Sequence, residues 1–108
     1  VVPELEPLKR TLAEMTQMYE QLTELVTSQK DDEYLDFHAR RLVDCAAHII
    51  CGHLLLQDAN KNQDLFRRSA EVYIHFGHIE VIKNHKFITE ARVEDIAYYK
   101  PADLAEVK

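Results

Sequence analysis

The sequence predicts an all-α fold: an up-down-up antiparallel bundle of three long helices with a short C-terminal helical turn. Three observations predict it. Only two glycines and three prolines punctuate 108 residues, too few for the many turns of a sheet. Three apolar-periodic stretches of about 26 residues each are separated by two short polar connectors. Hydrophobic residues make up 46% of the chain, enough for a folded core. The length fits a single domain, residues 1–108.

The first helix is expected from about Glu4 to Ser28. Leu5, Leu8, Leu12, Met15, Tyr19, Leu22 and Val26 recur in alternating steps of three and four. That is a heptad seam, the pattern of a helix docked on others along one stripe. Lys9, Glu14, Gln17, Glu20 and Glu24 occupy the opposite face. Pro3 and Pro7 fall in the entry region, where proline is tolerated; with Pro7 at the first helical position, the helix starts later.

Ser28 to Asp32 form a polar connector, and Asp31 or Asp32 is the natural N-cap of the next helix. This second helix is expected from about Glu33 to Ala59. Between Leu42 and Leu56 it is apolar on almost every side. Such a helix is normally enclosed by others, so it is expected at the centre. Three helices cannot cover every side of it, so part of its surface is expected at a subunit interface. Self-association is therefore expected, with dimerisation completing the bundle.

Asp64 or Asn62 can cap the third helix, expected from about Asp64 to Ala91. It carries two adjacent stripes. One is Leu65, Ser69, Val72, Phe76, Ile79 and Lys83; the other is Phe66, Ala70, Tyr73, Gly77 and Val81. Val93 to Ile96 then predict a short helical turn. The pair Tyr98-Tyr99 beyond it suits either a docking contact or a cap over the bundle end.

Gly52 and Gly77 both fall inside helices, each at a cost of up to about 1 kcal/mol against alanine. In an antiparallel hairpin turning near Lys61, Gly52 lies level with Ala70 and Gly77 level with Cys45. Helices two and three are therefore expected to pack unusually close. The alternative is glycine tolerated on an exposed face.

The formal net charge of −6 argues against a nucleic-acid partner, which needs a basic face, and against an anionic membrane surface. No apolar run has transmembrane length and no signal-peptide pattern is found, so no membrane insertion is expected. Cys45 and Cys51 lie six apart, about 240° around a helix, too divergent for a disulfide. They are expected to be buried free thiols, which suits a reducing cytoplasm. The chain begins at Val1 and runs almost directly into a charged helix, so it is expected to be a piece of a longer protein.

Candidate chemistry is sparse. Glu71, His75 and His78 share a helical face and could ligate a divalent ion, but Ile74 stands where a Glu-x-x-His motif needs histidine. Cys45, His48 and Cys51 fan over about 120°, too wide for one ion without further ligands. Neither Ser28 nor Ser69 sits in a nucleophile elbow, and two separated glycines make no phosphate loop or dinucleotide fingerprint. No catalytic, cofactor-binding or metal-ligating residue is therefore assigned.

The run from Ala46 to Asn60, Ala-Ala-His-Ile-Ile-Cys-Gly-His-Leu-Leu-Leu-Gln-Asp-Ala-Asn, is followed by Phe66-Arg67-Arg68-Ser69-Ala70-Glu71-Val72. Together with the close Ile96-Ala97-Tyr98-Tyr99-Lys100, it resembles the C-terminal helical extension of bacterial, Bacteroides-type acyl-CoA dehydrogenase-like flavoproteins. The resemblance covers roughly residues 40 to 100. It implies a parent that oxidises an acyl-CoA thioester at Cα–Cβ, with a glutamate taking the α-proton and FAD accepting hydride. Those parts belong to upstream domains, so no residue here inherits a catalytic role. The extension would pack on the core, support homo-oligomer formation or cover the substrate entrance. Two other readings remain: a stand-alone helical dimerisation module and a metal-binding bundle. A reading frame continuing far upstream separates the first reading from the module, and elemental analysis tests the metal.

Overall fold

The computed structural model describes residues 1–91 and 93–94. A 3-10 turn over Pro3–Leu5 leads into α1 (Glu6–Ser28), α2 (Asp32–Lys61) and α3 (Gln63–Glu90). The described residues form a three-helix bundle without a strand. α1 starts two residues later than the periodicity suggests. Pro7 occupies the first helical turn, and Leu5 is positioned instead by its amide donating to Val2 O at 3.0 Å. Val93 and Glu94 take 3-10 conformation. Asp95 and Ile96 of the expected turn, and Tyr98-Tyr99, lie outside the described residues.

The connections are tighter than the polar runs imply. Between α1 and α2 the chain turns through Lys30, whose φ of 52° is left-handed, and its amide donates to Thr27 O at 3.2 Å. Asp31, not Asp32, caps α2: its carboxylate accepts from the Tyr34 amide at 2.9 Å. α2 and α3 are joined by one residue. The Asn62 amide closes α2 onto Asp58 O at 3.0 Å, while its side chain accepts from the Leu65 amide at 3.2 Å and opens α3. The N-terminus is tied to this corner, with the Val2 amide donating to the Asn60 side chain at 2.8 Å.

The seam of α1 faces inward as its spacing demands. Leu12, Met15, Leu22 and Val26 are buried, with Leu8 and Tyr19 packed at the edge. α2 contributes Leu42, Cys45, Ile49, Gly52 and Leu56 to the same core, and α3 contributes Ala70, Ile74, Gly77, Val81 and Ile88. α2 is not enclosed on all sides, contrary to the expectation of a central helix. Three helices packed round a common axis each have an outer face, and α2 leaves Val43, Ile50 and Leu54 there, 55–65% exposed.

α3 had two stripes to choose from and buries the one with small residues. α2 and α3 share the longest helix contact of the bundle. The two glycines allow the close approach, but not to the neighbours the hairpin levels suggest. The space a Gly52 side chain would fill is taken by Leu12 of α1, whose Cδ2 would lie 2.6 Å from an added Cβ, with Ile74 at 3.5 Å. Gly77 faces Cβ of His48 at 3.3 Å and the Met15 methyl at 3.4 Å, rather than Cys45. The glycines therefore seat α1 against the α2–α3 pair as much as they bring α2 and α3 together.

Candidate functional site

Each group that the sequence singles out for chemistry can be placed. Glu71 is exposed and lies 3.9 Å from Arg67 Nε, one turn back on its own helix. His75 is exposed. His78 points the other way, its Nε2 3.4 Å from Glu14 of α1, without the alignment of a hydrogen bond. Glu71 and His78 thus face separate neighbours, and His75 is left at the surface. Among the described residues no three His, Cys, Asp or Glu side chains converge as a metal site would require.

Cys45, His48 and Cys51 also diverge. Cys45 is buried, and Asn84 Nδ2 donates to its sulfur at 3.7 Å. Burial pushes the thiol up, with the Asn84 hydrogen bond opposing. Cys51 is exposed, which corrects the expectation of two buried thiols: six residues on, the helix has turned it away from the core. His48 Nδ1 is paired with the Tyr73 hydroxyl at 3.4 Å, and its ring meets Phe76 edge-on. The Tyr73 phenol is pushed up, first by burial and then by Cys51 beside it. Ser28 donates to Leu25 O at 2.8 Å and Ser69 is exposed, with no base beside either among the described residues.

Among the described residues one polar side chain is fully buried, and ligand spacing does not find it. His38 has no solvent exposure. Its ring is held edge-on against Tyr34 at 4.6 Å, Phe37 at 5.0 Å and Phe87 at 6.0 Å. The Arg41 guanidinium lies over Phe87, 4.3 Å from the ring centre, and donates to Phe37 O at 3.1 Å. Neither imidazole nitrogen has a well-formed hydrogen bond. The Ala91 carbonyl beside it is taken by the Tyr34 hydroxyl at 3.1 Å. Burial pulls the His38 pKa down, Arg41 adds to this, and proximity to the Ala91 carbonyl offsets part of it. His38 is in step with the inward face of α2, four residues from Tyr34 and four from Leu42, and that periodicity was the available signal.

The remaining feature is a surface. The stripe of α3 left outside the core exposes Leu65, Val72, Phe76 and Ile79, each more than half exposed. A shallow groove of about 550 Å³, lined by Leu55, Arg68, Ser69, Val72, Tyr73 and Phe76, runs between α2 and α3. No helix among the described residues is long and apolar enough to cross a membrane.

The family described as Acyl-CoA dehydrogenase C terminal matches residues 1–96. A solved structure, the acyl-CoA dehydrogenase family protein from Porphyromonas gingivalis, is similar over 85% of this chain and 78% of its own, at 50% identity and a TM-score of 0.79. That match spans most of both chains, so the two are of comparable length. None of the curated proteins matches. An all-α bundle matched over nearly its whole length, the chain belongs to the acyl-CoA dehydrogenase C-terminal domain family.

Proposed function

We propose that this chain is the non-catalytic C-terminal helical domain of a longer, FAD-dependent acyl-CoA dehydrogenase, where it supports subunit association or packing on the catalytic core. The observation that carries this reading is the contrast between inside and outside. Among the described residues the His, Cys, Asp and Glu side chains do not converge, while large apolar side chains are left uncovered.

FAD, which the family implies, has no cradle among the described residues. A dinucleotide needs backbone that it can approach closely, usually at glycine, and free amides at a helix N-terminus. Here both glycines are packed against core side chains. The N-termini of α2 and α3 are capped by Asp31 and Asn62 of the chain itself. On this reading the flavin and the thioester chemistry belong to other domains of the parent. The two free thiols, Cys45 and Cys51, support a cytoplasmic location.

Equilibrium titration of the isolated chain with FAD, followed by a dye-linked assay with straight-chain acyl-CoA thioesters, tests the assignment. Neither flavin retention nor turnover is expected. Stoichiometric FAD binding or measurable dehydrogenation by this chain alone would contradict it.

A further inference from the structure

The exposed stripe of α2 reads Asp36, Arg40, Val43, Ala47, Ile50, Leu54, Asp58 and Lys61, in steps of three and four. All eight are exposed, and the stripe lies opposite the buried face of the same helix. Its order is self-complementary under reversal, with acid at one end answered by base at the other and apolar residues between. We propose that this face pairs antiparallel with the same face of a second copy of the chain, about a two-fold axis level with His48 and Ile49. The proposal rests on the subunit-association reading above and specifies its partner and register.

In that register Ala47 lies opposite Ile50 of the second copy, and Val43 opposite its Leu54. Asp36 meets Lys61 of the second copy, and Arg40 falls beside its Asp58. Each contact occurs twice, as an isologous interface requires. The large-small alternation of Ile50 and Ala47 suits close antiparallel packing, and the charges close both ends. The antiparallel arrangement also opposes the two helix dipoles.

A second set of contacts agrees with the same axis. Gly77 beside His48 and Gly52 beside Ile74 fix the level of α3 against α2. The axis therefore passes level with about Gly77. It places Val72 opposite Ile82 of the second copy and Phe76 opposite its Ile79, all four exposed in the single chain. The large apolar side chains in these contacts are each near half exposed or more in the single chain.

Sedimentation equilibrium of the 108-residue chain over a wide concentration range tests the proposal, with circular dichroism to confirm that each variant keeps its helices. The wild type is expected to dimerise. Ala47→Glu places a carboxylate in the apolar centre and should raise the dissociation constant by at least about tenfold, equivalent to ~1.4 kcal/mol. Asp36→Lys sets like charges together at both ends and should weaken the dimer by about three- to tenfold. The Asp36→Lys/Lys61→Asp double variant should return to near wild-type affinity. A chain monomeric at every concentration overturns the proposal. A dimer indifferent to Ala47→Glu overturns this face while leaving association through another surface standing. A dimer that Ala47→Glu breaks and the charge swap does not restore overturns the antiparallel register.

Discussion

His38 is the residue on which the inside of this bundle is least comfortable. An imidazole enclosed by three aromatic rings and without a well-formed hydrogen bond has its pKa held below the usual histidine value, by burial first and then by Arg41. In the unfolded chain the same group titrates near ~6.5. With its native pKa pulled below that, the unfolded state binds more protons between the depressed native value and about 6.5, so stability rises with pH through that window. Above about 6.5 neither state carries the proton and the contribution is flat. Urea unfolding at about pH 5.5 and about pH 7.5 is therefore expected to show a lower midpoint at the acid value, and His38→Leu should remove part of that difference. At the higher pH the variant should lie within roughly 1 kcal/mol of wild type, because relief of an unpaired buried polar group, worth about 1–3 kcal/mol, opposes loss of the ring contacts. An undiminished pH difference in the variant would show that His38 is not buried as a neutral base. Counting histidines for metal spacing directs attention to Glu71, His75 and His78, whereas the histidine with the unusual environment carries no ligand spacing at all. Its position in the α2 heptad places it in the core, but its lack of a partner depends on Phe87 and Ala91, which are remote in the chain.

At the scale of the helices, the legible part was periodicity with one solution. α1 has a single apolar stripe, so its buried face followed directly from the sequence. α2 and α3 offered more apolar surface than three helices can bury, and which part stays outside is decided by fit between elements. α3 turns in the stripe with Ala70 and Gly77 because α1 and α2 must come close there. Gly52 shows how tight the fit is. Leu12, fully buried, fills the place of a side chain at 52, so Gly52→Ala should destabilise by up to about 2 kcal/mol: a clash of ~1–3 kcal/mol is offset in part by the helix-propensity gain of ~1 kcal/mol. Gly77→Ala meets the flexible Met15 methyl and Cβ of His48 at ordinary-to-tight distance and should be neutral within about 1 kcal/mol. Urea denaturation of both variants checks the ordering. Equal effects would mean that α1 does not dock through Leu12 as described. Combining Gly52→Ala with Leu12→Val should cost less than the sum of the two, because the smaller valine makes room for the new methyl.

For the molecule as a whole, the all-α class and helix order were readable because composition and two short connectors leave little choice. Of the candidate chemistry, the spread of Cys45, His48 and Cys51 follows from helical spacing, whereas the turning of His78 away from Glu71 depends on packing against α1. The family resemblance entered through the Ala46–Asn60 run, which lies within α2, the helix whose outer face the bundle does not cover. The proposed role in association could not be read from any one residue, because such a surface is a property of two faces together. The proposal that the domain contributes assembly and no chemistry is tested most directly by removing residues 1–108 from the proposed parent dehydrogenase. Native mass is then read by sedimentation velocity alongside turnover per bound flavin. A smaller assembly that keeps its flavin and its turnover per flavin is predicted. An unchanged assembly that loses flavin or turnover would contradict it.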